Sequence, residues 1–432
     1  MAGPSFCFIH AADLHLDTPF SGIGSVAPQV AHELREASLA AFDAIVDLAL
    51  ERHAAFLLVA GDVYDGAERG LRAQLRFRDG LARLADAGIS SFVVHGNHDP
   101  LRTGWSAITS WPDGVKIFGW DPREVEVVPV ERDGEVIATV QGLSYAQAAT
   151  TENLARHFSR PTGPGVHIGL LHCNVEGAAT GHANYSPCSL DDLCRSGLDY
   201  LALGHVHEHK VLARGGAQGS WVVYPGNSQA RSPRASEQGP KGAVVVTIED
   251  GTVSGIELVP CDLVRFCTAT LDISLITNLS DLATALAEAG RGEAERAEGR
   301  SVVLRGRLVG RSPLHHELNR PGVRGELLAA LRDDAEGTSP LCWWDSLVDE
   351  SAAPLERAAL RARGDFAADL VALSDDLLRD PAAAQALLAE IGTPPRSMAR
   401  RLSDLLEQEG GTALIDAAVE RALELLGEDR TT

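Results

Sequence analysis

The chain has little lysine, no closely spaced cysteine pair and no long apolar run. No stretch reaches the roughly 18 consecutive apolar residues of a spanning helix, so no transmembrane helix is expected. No basic segment precedes the apolar residues of positions 1–10, so the N-terminus reads as a strand and not as a secretory signal. Seven cysteines, at 7, 173, 188, 194, 261, 267 and 342, include no C-x-x-C. That argues against a disulfide framework and against a zinc ribbon, and it fits a reducing, cytoplasmic setting. Positive charge is short as well: 38 basic residues face 60 acidic ones, for a net charge of −22. The deficit is even, because residues 1–260 and 261–432 each carry 19 basic and 30 acidic groups. Such a surface gives no steering toward nucleic acid, so phosphate affinity has to come from bound metal or local arginine clusters. Only Lys116, Lys210 and Lys241 are lysines. Arginine's fork suits phosphate, but so uniform an avoidance reads as genome composition.

What is present is an ordinary globular chain. At about 150 residues per domain, 432 residues make two or three domains. With 45% hydrophobic and 23% charged residues, disorder and collagen-like structure are excluded. Residues 1–260 alternate short apolar runs (6–10, 56–60, 92–95, 136–140, 166–171, 200–203, 221–224 and 243–248) with helical patterns at 30–52 and 71–87. The opening is βαβαβ, and Asp133-Gly134 and Asp250-Gly251 read as hairpin turns. The fold class is therefore α/β with two packed sheets flanked by helices. From Cys261 the pattern changes to a small βαβ piece, with strands at 265–273 and 300–309 around a helix at 278–289. From Arg324 onward the periodicity is helical only. These shifts divide the chain into a catalytic domain at 1–260, a capping module at 261–320 and a helical region at 321–432.

Polar residues cluster just past the ends of five apolar runs: Asp13-Leu14-His15, Gly61-Asp62-Val63-Tyr64-Asp65, Gly96-Asn97-His98-Asp99, His172 and Gly204-His205-Val206-His207. Ligands of α/β sheets gather at the carboxyl ends of strands, so these ends should converge. Gly61, Gly96 and Gly204 each precede a polar residue, where glycine permits a turn back over the sheet edge. So many carboxylates and imidazoles do not share a buried site without compensation, and bound cations provide it. Oxygen and imidazole donors without thiolate suit manganese, ahead of iron or zinc. Eight coordination bonds can be assigned if Asp62 bridges: Asp13, His15, Asp62 and His207 on one cation, and Asp62, Asn97, His172 and His205 on the other. Paired cations roughly 3.5–4 Å apart activate a hydroxide between them and clamp a phosphate for in-line displacement.

The ordered set Asp-x-His, Gly-Asp-x-x-Asp, Gly-Asn-His-Asp, a lone His and Gly-His-x-His resembles the calcineurin-like metallophosphoesterase superfamily. Within it the chain looks like the DNA-repair exonuclease branch, which holds SbcD-type nuclease subunits and their YhaO-type relatives. Residues 8–17 and 182–193, Tyr224-Pro225-Gly226-Asn227 and Gly239-Pro240-Lys241-Gly242 carry that likeness. It is dense over residues 5–260, looser over the capping module, and slight beyond about residue 320. The resemblance implies a two-sheet sandwich and the same metal ligands. It also implies that His98 positions the phosphate and protonates the leaving oxygen, while Asp99 orients a neighbouring histidine. The implied activity is two-metal hydrolysis of DNA phosphodiesters, and the implied partners are DNA and an SMC-like ATPase docked on the C-terminal helices, with a homodimer left open. One departure is Asp65, where several nucleases of the branch carry a histidine reaching for the DNA phosphate; some bacterial members also have aspartate.

Plainer readings stand beside several residues. His10 and His95 lie inside strands and read as core histidines, and His209 reads as a solvated turn residue. Asp17 and Asp65 suit capping as well as substrate contact. His182 and Tyr185 suit loop packing as well as substrate contact. Arg231 and Arg234 suit ordinary surface as well as a grip on a nucleic-acid backbone. His315-His316 stays unassigned. Two other functions also fit: a phosphatase or small-phosphodiester hydrolase, and an interaction subunit that organises an ATPase.

Overall fold

A run such as residues 56–60, apolar at every position, asks for cover on both faces. In a computed structural model of the chain, Phe56–Ala60 is a parallel strand buried at every residue. The structure describes residues 3–17, 28–66, 70–102, 105–176, 185–215, 219–354, 357–380, 382–383, 386–387 and 411–428.

Two six-stranded mixed sheets form the larger body. In hydrogen-bonded order the first is Thr252–Pro260, Gly242–Glu249, Phe6–Ala11, Phe56–Ala60, Ser90–Val94 and Val115–Ile117. The second is Lys210–Ala213, Trp221–Tyr224, Tyr200–Gly204, Val166–His172, Glu135–Leu143 and Val127–Arg132. In each, four neighbouring strands run parallel, and the remaining strands pair antiparallel.

Strand alternation sorts the side chains between two faces. Phe8, Phe56, Leu58 and Phe92 point into the space between the sheets, against Val140, Ile168, Leu170 and Tyr200. There Phe8 stacks on Phe56 at 4.9 Å and meets Tyr200 edge-on at 5.3 Å. Ile9, Leu57, Val59 and Val93 face the other way, onto Phe42, Ile45 and Val46 of helix Pro28–Glu51 and Phe77 and Leu81 of helix Leu71–Asp86. Both hairpins form as expected. Arg132 pairs with Glu135 and Glu249 with Thr252, and each intervening Asp-Gly has positive φ at both residues, the geometry of a type I′ turn.

A three-stranded sheet follows, ordered Val264–Asp272, Ser301–Val309, Cys342–Asp349, with helices Leu279–Arg296 and Val323–Asp334. The strand Cys342–Asp349 corrects the expectation of an all-helical stretch after Arg324. It pairs parallel with Ser301–Val309. Of its residues only Trp344 is buried, so the sequence shows neither alternation nor a solid apolar run there.

Contacts divide the chain into two compact units drawn differently from the boundaries 260 and 320. One comprises Met1–Leu271, Leu279–Leu308 and Pro321–Asp349. The other comprises Asp272–Asn278, Val309–Arg320 and Glu350–Thr432. In the second unit, helices Phe366–Arg379 and Gly411–Glu428 bury Val371, Leu377, Ile415, Val419 and Leu423 together. Among the described residues no helix is long and apolar enough to cross a membrane.

Candidate metal centre

Register brings the strand ends together. Ala11 lies opposite Val59, Ala60 opposite Val94, and in the second sheet His172 opposite Gly204. The loops that follow are laced to each other. Asp13 N–H donates to Gly61 O at 3.0 Å and His15 N–H to Asp62 O at 3.0 Å. His205 N–H donates to the Asp13 carboxylate at 3.0 Å, which joins the two sheets.

Asp13, His15, Asp62 and His205 all have positive φ, at 51°, 43°, 50° and 106°. L-residues held there cost roughly 1–3 kcal/mol each, and such strain gathers at functional sites. Gly61 shares the unusual backbone, with φ of 92°. Gly96 and Gly204 do not, and their role is space rather than the expected turn. A Cβ on Gly96 would sit 2.3 Å from Asp62 Oδ1, and one on Gly204 would sit 1.8 Å from Ala60 O.

The side chains form overlapping groups. Asp13, His15 and His207 bring ligand atoms within 4.8 Å of one another, as do Asp13, Asp62 and His172. His15 Nε2 lies 3.2 Å from His207 Nε2. Asp62 Oδ2 lies 3.4 Å from His172 Nε2 and 3.9 Å from His15 Nε2, between the two groups, as a bridging ligand requires. Asn97 Oδ1 is 3.0 Å from His172 Nε2. The His205 ring packs against those of His172 and Tyr185, at 5.2 and 5.9 Å between centroids.

Tautomers follow from the outer partners. His172 Nδ1–H donates to Ala60 O at 2.9 Å and His207 Nδ1–H to Glu237 Oε1 at 2.7 Å. Each leaves an Nε2 lone pair aimed inward. Burial, and then the charge of Asp62, push the Asp13 carboxyl well above its ordinary value. Burial pushes Asp62 up to about 7. Burial also holds His15 well below its ordinary value and His172 down at about 4. Lone pairs facing lone pairs, beside carboxylates too desolvated to ionise freely, are an arrangement that divalent cations satisfy. The donor set fits two of them.

His98, Asp65, Arg231 and Asp99 adjoin this cluster. His98 N–H donates to Asp62 Oδ1 at 2.9 Å, and its ring Nδ1 lies 2.8 Å from Asp65 Oδ1. Asp65 Oδ2 accepts from Arg231 at 2.6 Å. Asp99 accepts from Val63 N–H, Gly96 N–H and His95 Nδ1 at 2.8–2.9 Å, so it is a positioning residue that ties two motif loops together. Arg234 is exposed beside the turn Ala235–Glu237. His182 lies outside the described residues. His209 is half-buried and donates to Tyr224 O, not solvated as expected.

Glu237 escaped the sequence reading. It is buried, orients His207, and also accepts from Asn227 and from Arg231 N–H. Although burial opposes it, the His207 hydrogen bond holds its carboxyl down at about 2. The available signal was its place between Tyr224-Pro225-Gly226-Asn227 and Gly239-Pro240-Lys241-Gly242, two turns that together frame the loop.

The calcineurin-like phosphoesterase family pattern matches residues 7–209, and that of the metallophosphoesterase YhaO middle domain matches residues 266–352. The chain is 37% identical over 349 residues to an uncharacterized metallophosphoesterase, YhaO, of Bacillus subtilis, covering 80% of this chain and 81% of that one. It is 26% identical over 227 residues to the DNA double-strand break repair protein Mre11 of Thermoplasma acidophilum, covering 49% and 56% respectively. A crystal structure of a dimetal phosphatase from Danio rerio matches 60% of this chain and 98% of that one, at 12% identity and a TM-score of 0.33. With both patterns matched in order and four-fifths of a YhaO protein aligned, the chain belongs to the YhaO-type calcineurin-like metallophosphoesterases and is a metal-dependent phosphoesterase.

Proposed function

We propose that this phosphoesterase is a two-metal phosphodiesterase that hydrolyses DNA, with manganese as its working cation. The observation that carries the reading is Asp62 Oδ2 lying between ligand groups built from four separate strand ends, with Asn97 of a fifth beside His172. The 26% identity to Mre11 over 227 residues supports DNA as the substrate. When bound, the cations supply positive charge to the phosphate and acidify the attacking water. The chain's own groups do the rest. With Nδ1 engaged by Asp65, His98 turns Nε2 to the substrate, and that hydrogen bond raises the imidazole above its ordinary value. His98 thereby keeps a proton for the leaving oxygen. Asp99 and Glu237 hold the loops and His207 in register.

A net charge of −22 limits the isolated chain. Few phosphates are neutralised and few counterions released, so duplex DNA binds poorly without a partner. An SMC-like ATPase docked on the C-terminal helices would supply that surface. The same charge favours a second reading, a hydrolase of small phosphodiesters. A manganese-supplemented assay on DNA of defined ends, with Asp62→Asn as control, separates the two. Weak DNA cleavage lost in the variant supports the first. Hydrolysis of bis(p-nitrophenyl) phosphate with DNA left intact, even with an ATPase partner present, supports the second.

A further inference from the structure

Around the deeply buried ligands lies a more open rim. The side chains of Asp13, His15, Asp62, His172 and His207 are at most 10% exposed, whereas Asp65, Arg231 and His98 reach 18%, 23% and 39%. One carboxylate serves both rim donors. Asp65 Oδ1 takes His98 Nδ1 at 2.8 Å, and Asp65 Oδ2 takes Arg231 Nη2 at 2.6 Å. The backbones of both partners are anchored. The His98 backbone is tied to Asp62, and the Arg231 backbone is tied to Glu237. Asp65 itself follows Tyr64, which bridges to Leu16, so its backbone is fixed by the Asp13–Leu16 loop. The guanidinium also has donor capacity in reserve, because its Nε is buried without a hydrogen-bond partner.

We infer that Asp65 is a specificity-determining residue that biases this site toward phosphodiesters and against phosphomonoesters, by spending the charge of Arg231. A phosphodiester carries one negative charge. A phosphomonoester carries nearly two above pH ~6, and its binding depends more steeply on net positive charge around the phosphate. With Asp65 in place, the rim offers hydrogen-bond donors but little surplus charge. That suits the singly charged ester and leaves the extra charge of a monoester uncompensated. A neutral amide at this position would leave the guanidinium uncancelled and hand that surplus to the substrate. The inference rests on the phosphodiesterase reading of the site but not on DNA being the substrate.

The test uses the full manganese-loaded chain at pH 8, with bis(p-nitrophenyl) phosphate and p-nitrophenyl phosphate compared in wild type, Asp65→Asn and Arg231→Gln. Asp65→Asn should lower KM for the monoester by about tenfold while moving KM for the diester by no more than about twofold. Any loss of His98 orientation would appear separately, as a fall in kcat common to both substrates. Arg231→Gln leaves Asp65 uncovered and should move the ratio of kcat/KM values the other way, toward the diester. If Asp65→Asn fails to retain its metal, the Arg231→Gln ratio decides. Equal losses on both substrates, or an unmoved ratio, would overturn the inference. A shifted ratio in a protein that never cleaves DNA sinks the nuclease reading alone; DNA cleavage with an unmoved ratio sinks only the specificity claim.

Discussion

The molecule buries carboxylates in two ways, and they differ in what surrounds them. Asp262, between the catalytic body and the small sheet, is buried against two arginines. Arg265 meets it through Nε and Nη2 at 3.0 and 3.1 Å, and Arg300 through Nε at 3.0 Å. Arg300 also donates to the carbonyls of Asp262, Ala297 and Pro260, so the cluster closes on itself. Asp13 and Asp62 are buried as deeply, yet their neighbours are backbone N–H groups and imidazoles whose inward nitrogens carry lone pairs. A buried anion matched by the protein's own cations holds a fold together. One left to imidazoles and amides awaits a cation from outside.

The sharpest way to break this contrast is to neutralise one member of each kind. Asp62→Asn removes the shared ligand, so turnover of bis(p-nitrophenyl) phosphate should fall by at least about 10^3-fold and manganese stoichiometry should drop. Stability of the cation-free chain should not fall, since a desolvated carboxylate has been removed. Metal analysis together with thermal unfolding reads both. Asp262→Asn should do the reverse. It leaves two guanidinium groups around an uncharged partner, at a cost of about 3–5 kcal/mol of folding stability, measurable by urea unfolding. The metal content of its folded fraction should stay unchanged. A destabilised Asp62→Asn beside an unaffected Asp262→Asn would refute the distinction.

The same contrast explains which parts of the site were legible in the sequence. Asp13, His15, Asp62, Asn97, His172, His205 and His207 each lie within a few residues of the end of an apolar run, so a local pattern placed them on one sheet edge. The hairpins at Asp133-Gly134 and Asp250-Gly251 were legible for a similar reason, since the turn chemistry is carried by the two residues themselves. Glu237 was not, because it acts on His207 from 30 residues away and nothing near it in sequence shows that pairing. The pair Arg231–Asp65 spans 166 residues and was equally hidden, although each residue had been singled out alone. The strand Cys342–Asp349 was missed because its partner Ser301–Val309 supplies the pairing, while its own side chains are mostly half-buried.

Glu237 lies between the two kinds of carboxylate, since it is buried and paired but acts on a metal ligand. Glu237→Gln keeps the shape and removes the charge that supports His207. Metal affinity or turnover should fall by about 10–100-fold, with the fold retained. Isothermal titration with manganese, read beside the thermal midpoint, separates that outcome from unfolding. A loss as large as that of Asp62→Asn would mean that Glu237 itself enters the coordination sphere.

Proton competition gives a graded measure of the same difference. Asp62 is pushed up to about 7, so below that pH the cation-free site holds a proton that a cation has to displace. Asp13 is raised in the same direction, while burial keeps His15 and His172 unprotonated through this range. Manganese affinity should therefore be nearly flat above about pH 7 and fall by at least about tenfold for each unit below it. Stability follows with a defined sign. A raised carboxyl contributes stability in the cation-free chain that is complete below the ordinary aspartate value of about 3.9 and is lost as pH rises through about 7. The thermal midpoint gained on adding manganese should accordingly widen as pH rises from about 4 to about 7 and level off above. In Asp62→Asn the widening should shrink to what Asp13 alone provides, whereas in Asp262→Asn it should persist at the wild-type slope, because the arginine-matched carboxylate takes no part in the exchange.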